Sequence, residues 1–211
     1  MDIFDLDAFR STGLARDPFP YLVLPGFVKA DALAALNADY PQIAHPGSFP
    51  IQELKYGPAF AAMLETLTGP EIRDAFQEKF GIDLTGRPTM ITARGHCGTR
   101  DGNIHTDALT KIITVLIYMN PRWEQPGGCL RLLRSPKDIE DLLVEVPPVE
   151  GTLVAFRRSD NSYHGHKRFI GPRRVIQLNW VTDRGTVGRE ILRHRASAWA
   201  KWLFGRFRRS A

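Results

Sequence analysis

The sequence predicts a mainly β domain with an α-helical flank, its strands arranged as an antiparallel sandwich or jelly roll. Two observations carry that expectation. From Pro88 onward seven short β-type runs follow one another: "TMITAR", "NIHTDA", "KIITVLIYMN", "GCLRLLR", "GTLVAFRR", "SYHGHK" and "RRVIQLNWVTD". Turn residues separate them and no crossover helix intervenes, which favours antiparallel pairing. The second observation is the contrast with residues 1–87, whose apolar spacing is mostly helical.

Within that flank, "FPYLVLPGFVKADALAALNADYP" reads as a short strand, a Pro-Gly turn and a helix started by Asp31. "GPAFAAMLETLTGPEIRDAFQEKFGI" reads as two helical pieces split at Gly69-Pro70. In the β region one stretch, "SPKDIEDLLVEVPPVEG", interrupts the strands and is expected to form a short helix and a turn. The organisation expected is a helical flank over 1–87 packed on the core, a β core over 88–183 and a basic amphipathic tail over 184–211. In that tail Leu192, Ala196, Trp199, Leu203 and Phe207 recur at helical spacing, which suits a final helix packed on the domain. The sharper alternative is a peripheral contact with an anionic membrane surface.

Composition narrows the function classes. Hydrophobic content of 43% with 24% charged residues is that of a water-soluble globular chain. The N-terminal "MDIFDLDAFR" is acidic and lacks the apolar run of a signal peptide, and no stretch is long enough to span a bilayer. The two cysteines, Cys97 and Cys129, do not have CxxC spacing, so neither a disulfide framework nor a structural zinc site is expected. A cytoplasmic location follows as the default. The net charge of +5 resides in the tail: seven Lys/Arg lie from Arg189 to Ala211 against one acid, Glu190, leaving 21 basic and 22 acidic residues elsewhere. No nucleic-acid partner is therefore expected.

Chemistry enters with "HTD". His105 and Asp107 are two apart in a β context, on one face and about 7 Å apart at Cα, which lets an imidazole and a carboxylate approach one metal ion. Alone the pattern is weak. A second histidine on a distant strand, in "NSYHGHKRFIGPRR", raises its weight, because two histidines and one carboxylate form the facial set of non-haem Fe(II) oxygenases.

Several markers in fixed order now resemble one family. They are "HTD", "YMN" ending a hydrophobic strand, "PGGCLRLL", "GTLVAF", a histidine, and an arginine in "RRVIQLNW". Over roughly 91–183 the chain resembles the 2-oxoglutarate/Fe(II)-dependent dioxygenases, in their prolyl-4-hydroxylase-like branch. The resemblance implies a double-stranded β-helix (jelly roll) core, with N-terminal helices and a C-terminal helix around it. It implies Fe(II), 2-oxoglutarate and O2 as cofactor and co-substrates, and it admits ascorbate. It makes His105, Asp107 and His164 the iron ligands and catalytic centre. Related halogenases lack the carboxylate, so Asp107 points to hydroxylation of an unactivated C–H bond, with succinate and CO2 released.

In this branch a basic residue lies nine or ten positions after the last histidine and grips the co-substrate. Counted from His164 this gives Arg173 or Arg174; counted from His166 the interval is too short. His164 is therefore the expected ligand and His166 a pocket neighbour on the same strand face. Arg174 shares its face with Ile176, Leu178 and Trp180. Trp180 matches a large residue that the family commonly places on the cofactor side, which favours Arg174 and leaves Arg173 on the surface. The guanidinium would pair the distal carboxylate through two charge-assisted hydrogen bonds. Tyr118 matches a family position touching that carboxylate, and Leu116 and Leu130 would wall the pocket. The loop "RGHCGTRDGN", with Arg94, His96 and Arg100, reads equally as a lid or as a plain connection.

The substrate expected is a small molecule or a peptide: a peptidyl or amino-acid side chain, a metabolite or a glycan. Neither it nor the oligomeric state is legible. The alternative reading is a cupin-like metal or small-molecule binding module without oxygenase chemistry.

Overall fold

In the computed structural model residues 2–183 are described, together with Gly185 and Gly188; the expected tail helix, over 189–209, lies outside the described residues. Four helices precede the main β region: α1 (Leu6–Ser11), α2 (Ala30–Ala38), α3 (Pro58–Leu67) and α4 (Pro70–Phe80). The break between α3 and α4 falls at Gly69-Pro70 as expected, with a proline opening each helix, where its missing N–H costs nothing. On α4, Ile72, Ala75, Phe76 and Phe80 form one buried stripe.

Among the described residues there are nine strands: β1 (Tyr21–Leu24), β2 (Phe49–Pro50), β3 (Thr89–Cys97), β4 (Lys111–Tyr118), β5 (Leu130–Leu133), β6 (Leu142–Val146), β7 (Leu153–Arg157), β8 (His164–His166) and β9 (Gly171–Val181). They form a six-stranded sheet in the order β1-β7-β4-β9-β3-β2 and a three-stranded sheet in the order β6-β5-β8. Every strand pairing is antiparallel. This is the jelly-roll architecture expected. The helical flank supplies both edge strands of the large sheet, β1 and β2.

The stretch expected as a short helix instead contains β6. Its "LLVEV" pairs with β5, and the buried Arg131 of β5 ties it down through Glu145, with Glu140 a further partner at 2.8 Å. Cross-strand pairing of that buried arginine decides the conformation here.

The large sheet is covered on both faces. Ile113, Val115 and Ile117 of β4 and Ile176, Leu178 and Trp180 of β9 point to the helices, where Trp180 meets Phe76 at 5.0 Å between ring centroids. The opposite face of the same strands looks towards the small sheet. There Tyr118, Val154, Phe156 and Val175 meet Leu130, Leu132 and Val146 in a second, smaller core. The functional cavity opens beside that second core.

Candidate active site

The side chains of "HTD" are not held together by a strand. His105 lies in the connection between β3 and β4 and makes an isolated antiparallel bridge with His164 of β8. Each residue's N–H donates to the other's carbonyl, at 3.0 and 2.9 Å. The bridge brings the two rings to 4.3 Å between centroids. Both Nδ1 atoms lie against carbonyl oxygens, of Asn103 at 2.9 Å and of Ser162 at 3.0 Å. A carbonyl can only accept, so each Nδ1 carries the proton and each Nε2 is left as a lone-pair donor.

Asp107 completes the set: one ligand atom from each of His105, Asp107 and His164 lies within 4.8 Å of the other two. His105 is exposed, whereas Asp107 and His164 are buried. Both carboxylate oxygens of Asp107 have donors, Lys111 Nζ on Oδ1 at 2.6 Å and the Thr114 hydroxyl on Oδ2 at 2.5 Å. Burial works against the charge on Asp107, but Lys111, His164 and these hydrogen bonds outweigh it and hold the carboxyl below its ordinary range. Burial pushes His164 down to about 4, so it stands neutral at physiological pH. Two imidazoles presenting Nε2 and one carboxylate on one side of a cavity would suit a divalent iron.

That cavity has a volume of about 470 Å³. Leu116, Leu130 and His166 line it. Burial, and then the charge of Arg173, push His166 down to about 4. Arg173 also lines the cavity and is only 5% exposed. Its Nε donates to the Gly128 carbonyl at 2.7 Å, its NH2 group lies 3.4 Å from the Tyr118 hydroxyl, and its guanidinium sits 5.3 Å from the Tyr118 ring centroid. Among the described residues no carboxylate pairs with it.

The choice of Arg174 is therefore corrected. Arg174 stands over the Tyr40 ring at 5.3 Å and does not line the cavity. Parity correctly groups it with Ile176, Leu178 and Trp180, but that face meets the helices, and Trp180 is a core residue packed on Phe76. The cavity face of β9 carries Arg173, Val175 and Gln177.

Lys111, Thr114, Gln177 and Thr92 also line the cavity and were not legible as site residues. Thr114 shares parity with Leu116 and Tyr118, and Gln177 with Arg173, which could have pointed to both. Lys111 could not be found that way. A register shift between Lys111 and Ile113 breaks the alternation and brings the lysine to the site. The "RGHCGTRDGN" segment is part strand, since β3 runs through Cys97, and part loop. Arg94 there is paired with Asp101 at 3.0 Å.

Residues 93–182 match the family model of the 2OG-Fe(II) oxygenase superfamily. Over this stretch the chain is similar to that superfamily. The 2OG-Fe(II) oxygenases use iron, 2-oxoglutarate and O2, and the protein is accordingly an oxidoreductase. A prolyl-4-hydroxylase from Pseudomonas putida is similar in structure, with 20% identity, a TM-score of 0.52, and 85% of this chain and 93% of that one covered. A prolyl 4-hydroxylase from Phytophthora capsici gives 14% identity and a TM-score of 0.53, covering 85% of this chain and 63% of that one. The α-ketoglutarate-dependent epimerase SnoN of nogalamycin biosynthesis gives 13% identity and a TM-score of 0.50, covering 83% and 80%. At these identities the likeness is one of fold. No curated protein matches by sequence. Among the described residues no helix is long and apolar enough to cross a membrane.

Proposed function

We propose that the oxygenase hydroxylates an unactivated C–H bond of its substrate, with 2-oxoglutarate converted to succinate and CO2. One observation carries this reading: His105, Asp107 and His164 converge in a cavity that also holds a buried arginine without an acidic partner among the described residues. An unpaired guanidinium in a buried site costs several kcal/mol, of order 3–5 for a broken ion pair, and a dicarboxylate supplies what it lacks.

The chain's own residues divide the work. His105, Asp107 and His164 hold iron, which supplies the activation of O2 when bound. Arg173 receives the distal carboxylate of 2-oxoglutarate, and the buried Tyr118 phenol adds a neutral hydrogen bond. Burial raises the Tyr118 hydroxyl above its ordinary pKa against the opposing charge of Arg173, so it stays protonated and can donate. Leu116 and Leu130 exclude water from the co-substrate's methylene chain. A carboxylate at position 107 fills the site a halide would need, which favours hydroxylation.

Anaerobic reconstitution with Fe(II) and 2-oxoglutarate tests the reading. The expected result is a visible chelate absorption band, followed by succinate release on admission of O2. A folded, iron-loaded protein without that band would overturn it and leave a cupin-like binding module.

A further inference from the structure

Lys111 is 7% exposed and lies 2.6 Å from a carboxylate that is also a member of the metal-ligand set. Among the described residues Asp107 is the acid with which it pairs. An iron ion brought to the three ligands thus meets an ammonium already on Asp107 Oδ1.

The other oxygen is less readily given up. The Thr114 hydroxyl stands 2.5 Å from Asp107 Oδ2 and 2.9 Å from the Asn179 side chain, and one hydroxyl hydrogen cannot serve two acceptors. Asn179 is fully buried and its Nδ2 has no partner among the described residues. With the amide turned so that Nδ2 donates to Thr114 Oγ1, and the Gln177 amide, whose Nε2 lies 3.3 Å from Asn179 Oδ1, turned with it, the Thr114 hydrogen is free to go to Asp107. That neutral chain joins β4 to β9 and does not repel a cation. Lys111 does.

We propose that Lys111 is an exchangeable counter-ion: a metal dication takes its place on Asp107, and its ammonium then receives a carboxylate carried by a bound organic ligand. The second half follows from the cavity's acids. Among the described residues Asp101 and Asp107 are those that line it, and Asp101 is already engaged by Arg94 at 3.0 Å and by the Gly98 N–H at 2.8 Å. Among the described residues a displaced, buried ammonium therefore finds no further carboxylate and needs one from a ligand. Arg173 takes one anionic end, and Lys111 takes a second. This inference rests on the oxygenase reading, and the carboxylate belongs either to 2-oxoglutarate, at its metal-proximal end, or to the primary substrate.

The test is Mn(II) titration of chelator-stripped protein, following the free-ion signal by electron paramagnetic resonance. Without organic acid, Lys111→Met should bind Mn(II) roughly tenfold more tightly than the wild type, a difference of about 1.4 kcal/mol. Lys111→Arg, which keeps the charge, should not gain. Equal or weaker Mn(II) binding by Lys111→Met overturns the proposal. Adding 2-oxoglutarate to the Mn(II)-loaded proteins separates the two sources. A roughly tenfold loss of its affinity in Lys111→Met assigns the carboxylate to the co-substrate. Unchanged affinity assigns it to the primary substrate. Should the variants not fold, the wild type decides: Mn(II) should make Lys111 more open to acetylation by acetic anhydride, read by mass spectrometry, and unchanged labelling overturns the exchange. If 2-oxoglutarate fails to bind Mn(II)-loaded wild type at all, the oxygenase reading falls, while the Mn(II) comparison still decides the exchange.

Discussion

His105 and His164 exchange both of their backbone hydrogen bonds, at 3.0 and 2.9 Å, although His105 lies in no strand. The approach depends on two glycines. A Cβ on Gly165 would sit 2.8 Å from the Gly102 carbonyl oxygen. One on Gly102, whose φ is +100°, would meet the His166 carbonyl oxygen at 2.4 Å. Gly165→Ala and Gly102→Ala should each cost about 1–3 kcal/mol of stability and weaken metal binding, without altering any ligand. Gly13→Ala, facing open space, is the control. Metal titration together with thermal unfolding checks this.

The two histidines of β8 separate by metal binding. His164 lies in the ligand cluster, whereas His166 lines the cavity with its Nδ1 against the Lys167 carbonyl at 2.9 Å. His164→Ala should abolish stoichiometric iron binding and His166→Ala should keep it, as measured by metal analysis after desalting. Loss of iron from both variants would remove the distinction.

For the adjacent arginines the expectation is asymmetric. Arg173→Ala should weaken 2-oxoglutarate binding to the metal-loaded protein by about 2 kcal/mol or more, because it leaves a carboxylate buried and unpaired. Arg174→Ala should change that affinity by less than about threefold, since its side chain stands on Tyr40 outside the cavity. Tyr118→Phe should fall between them, at about 1 kcal/mol for one hydrogen bond. Calorimetric titration ranks the three.

Thr114→Val removes the neutral donor from Asp107 Oδ2 while nearly preserving volume. Metal affinity should fall by roughly 10- to 100-fold, the usual effect of losing a hydrogen bond to a ligating carboxylate. Thr114→Ser should restore most of it. Failure of the serine variant to rescue would show that packing, and not the hydroxyl, matters there.

Acid should destabilise the protein through its buried imidazoles. His164 and His166 are pushed down to about 4 from an ordinary 6.5, chiefly by burial. Between those values the unfolded chain binds more protons than the folded one, so stability falls as pH drops from about 6.5 towards about 4. Urea unfolding midpoints of chelator-treated protein at about pH 7 and about pH 5 should show the loss. His166→Gln should reduce it.

Much of the architecture was legible because its causes are local. Alternating apolar runs give strands wherever they pair, and the two proline-led starts of α3 and α4 stand in the sequence. The stretch containing β6 was misread because its conformation depends on Arg131, a partner on another strand. The three candidate ligands were also legible, as residue types in a fixed order. The reason for its convergence was not, since that is the His105–His164 bridge and not strand alternation.

By itself the sequence determined the strand-rich core, the two histidines and aspartate that converge, and the pairing of Arg174 with Trp180 on one face of β9. Only the tertiary structure decided which face of β9 meets the cavity. Alternation fixes side chains relative to one another, and a strand buried on both faces presents apolar residues to each. The helices claimed Trp180, so Arg173 was left for the cavity. Lys111 was likewise decided in three dimensions: a register shift at the start of β4 sets it beside Asp107.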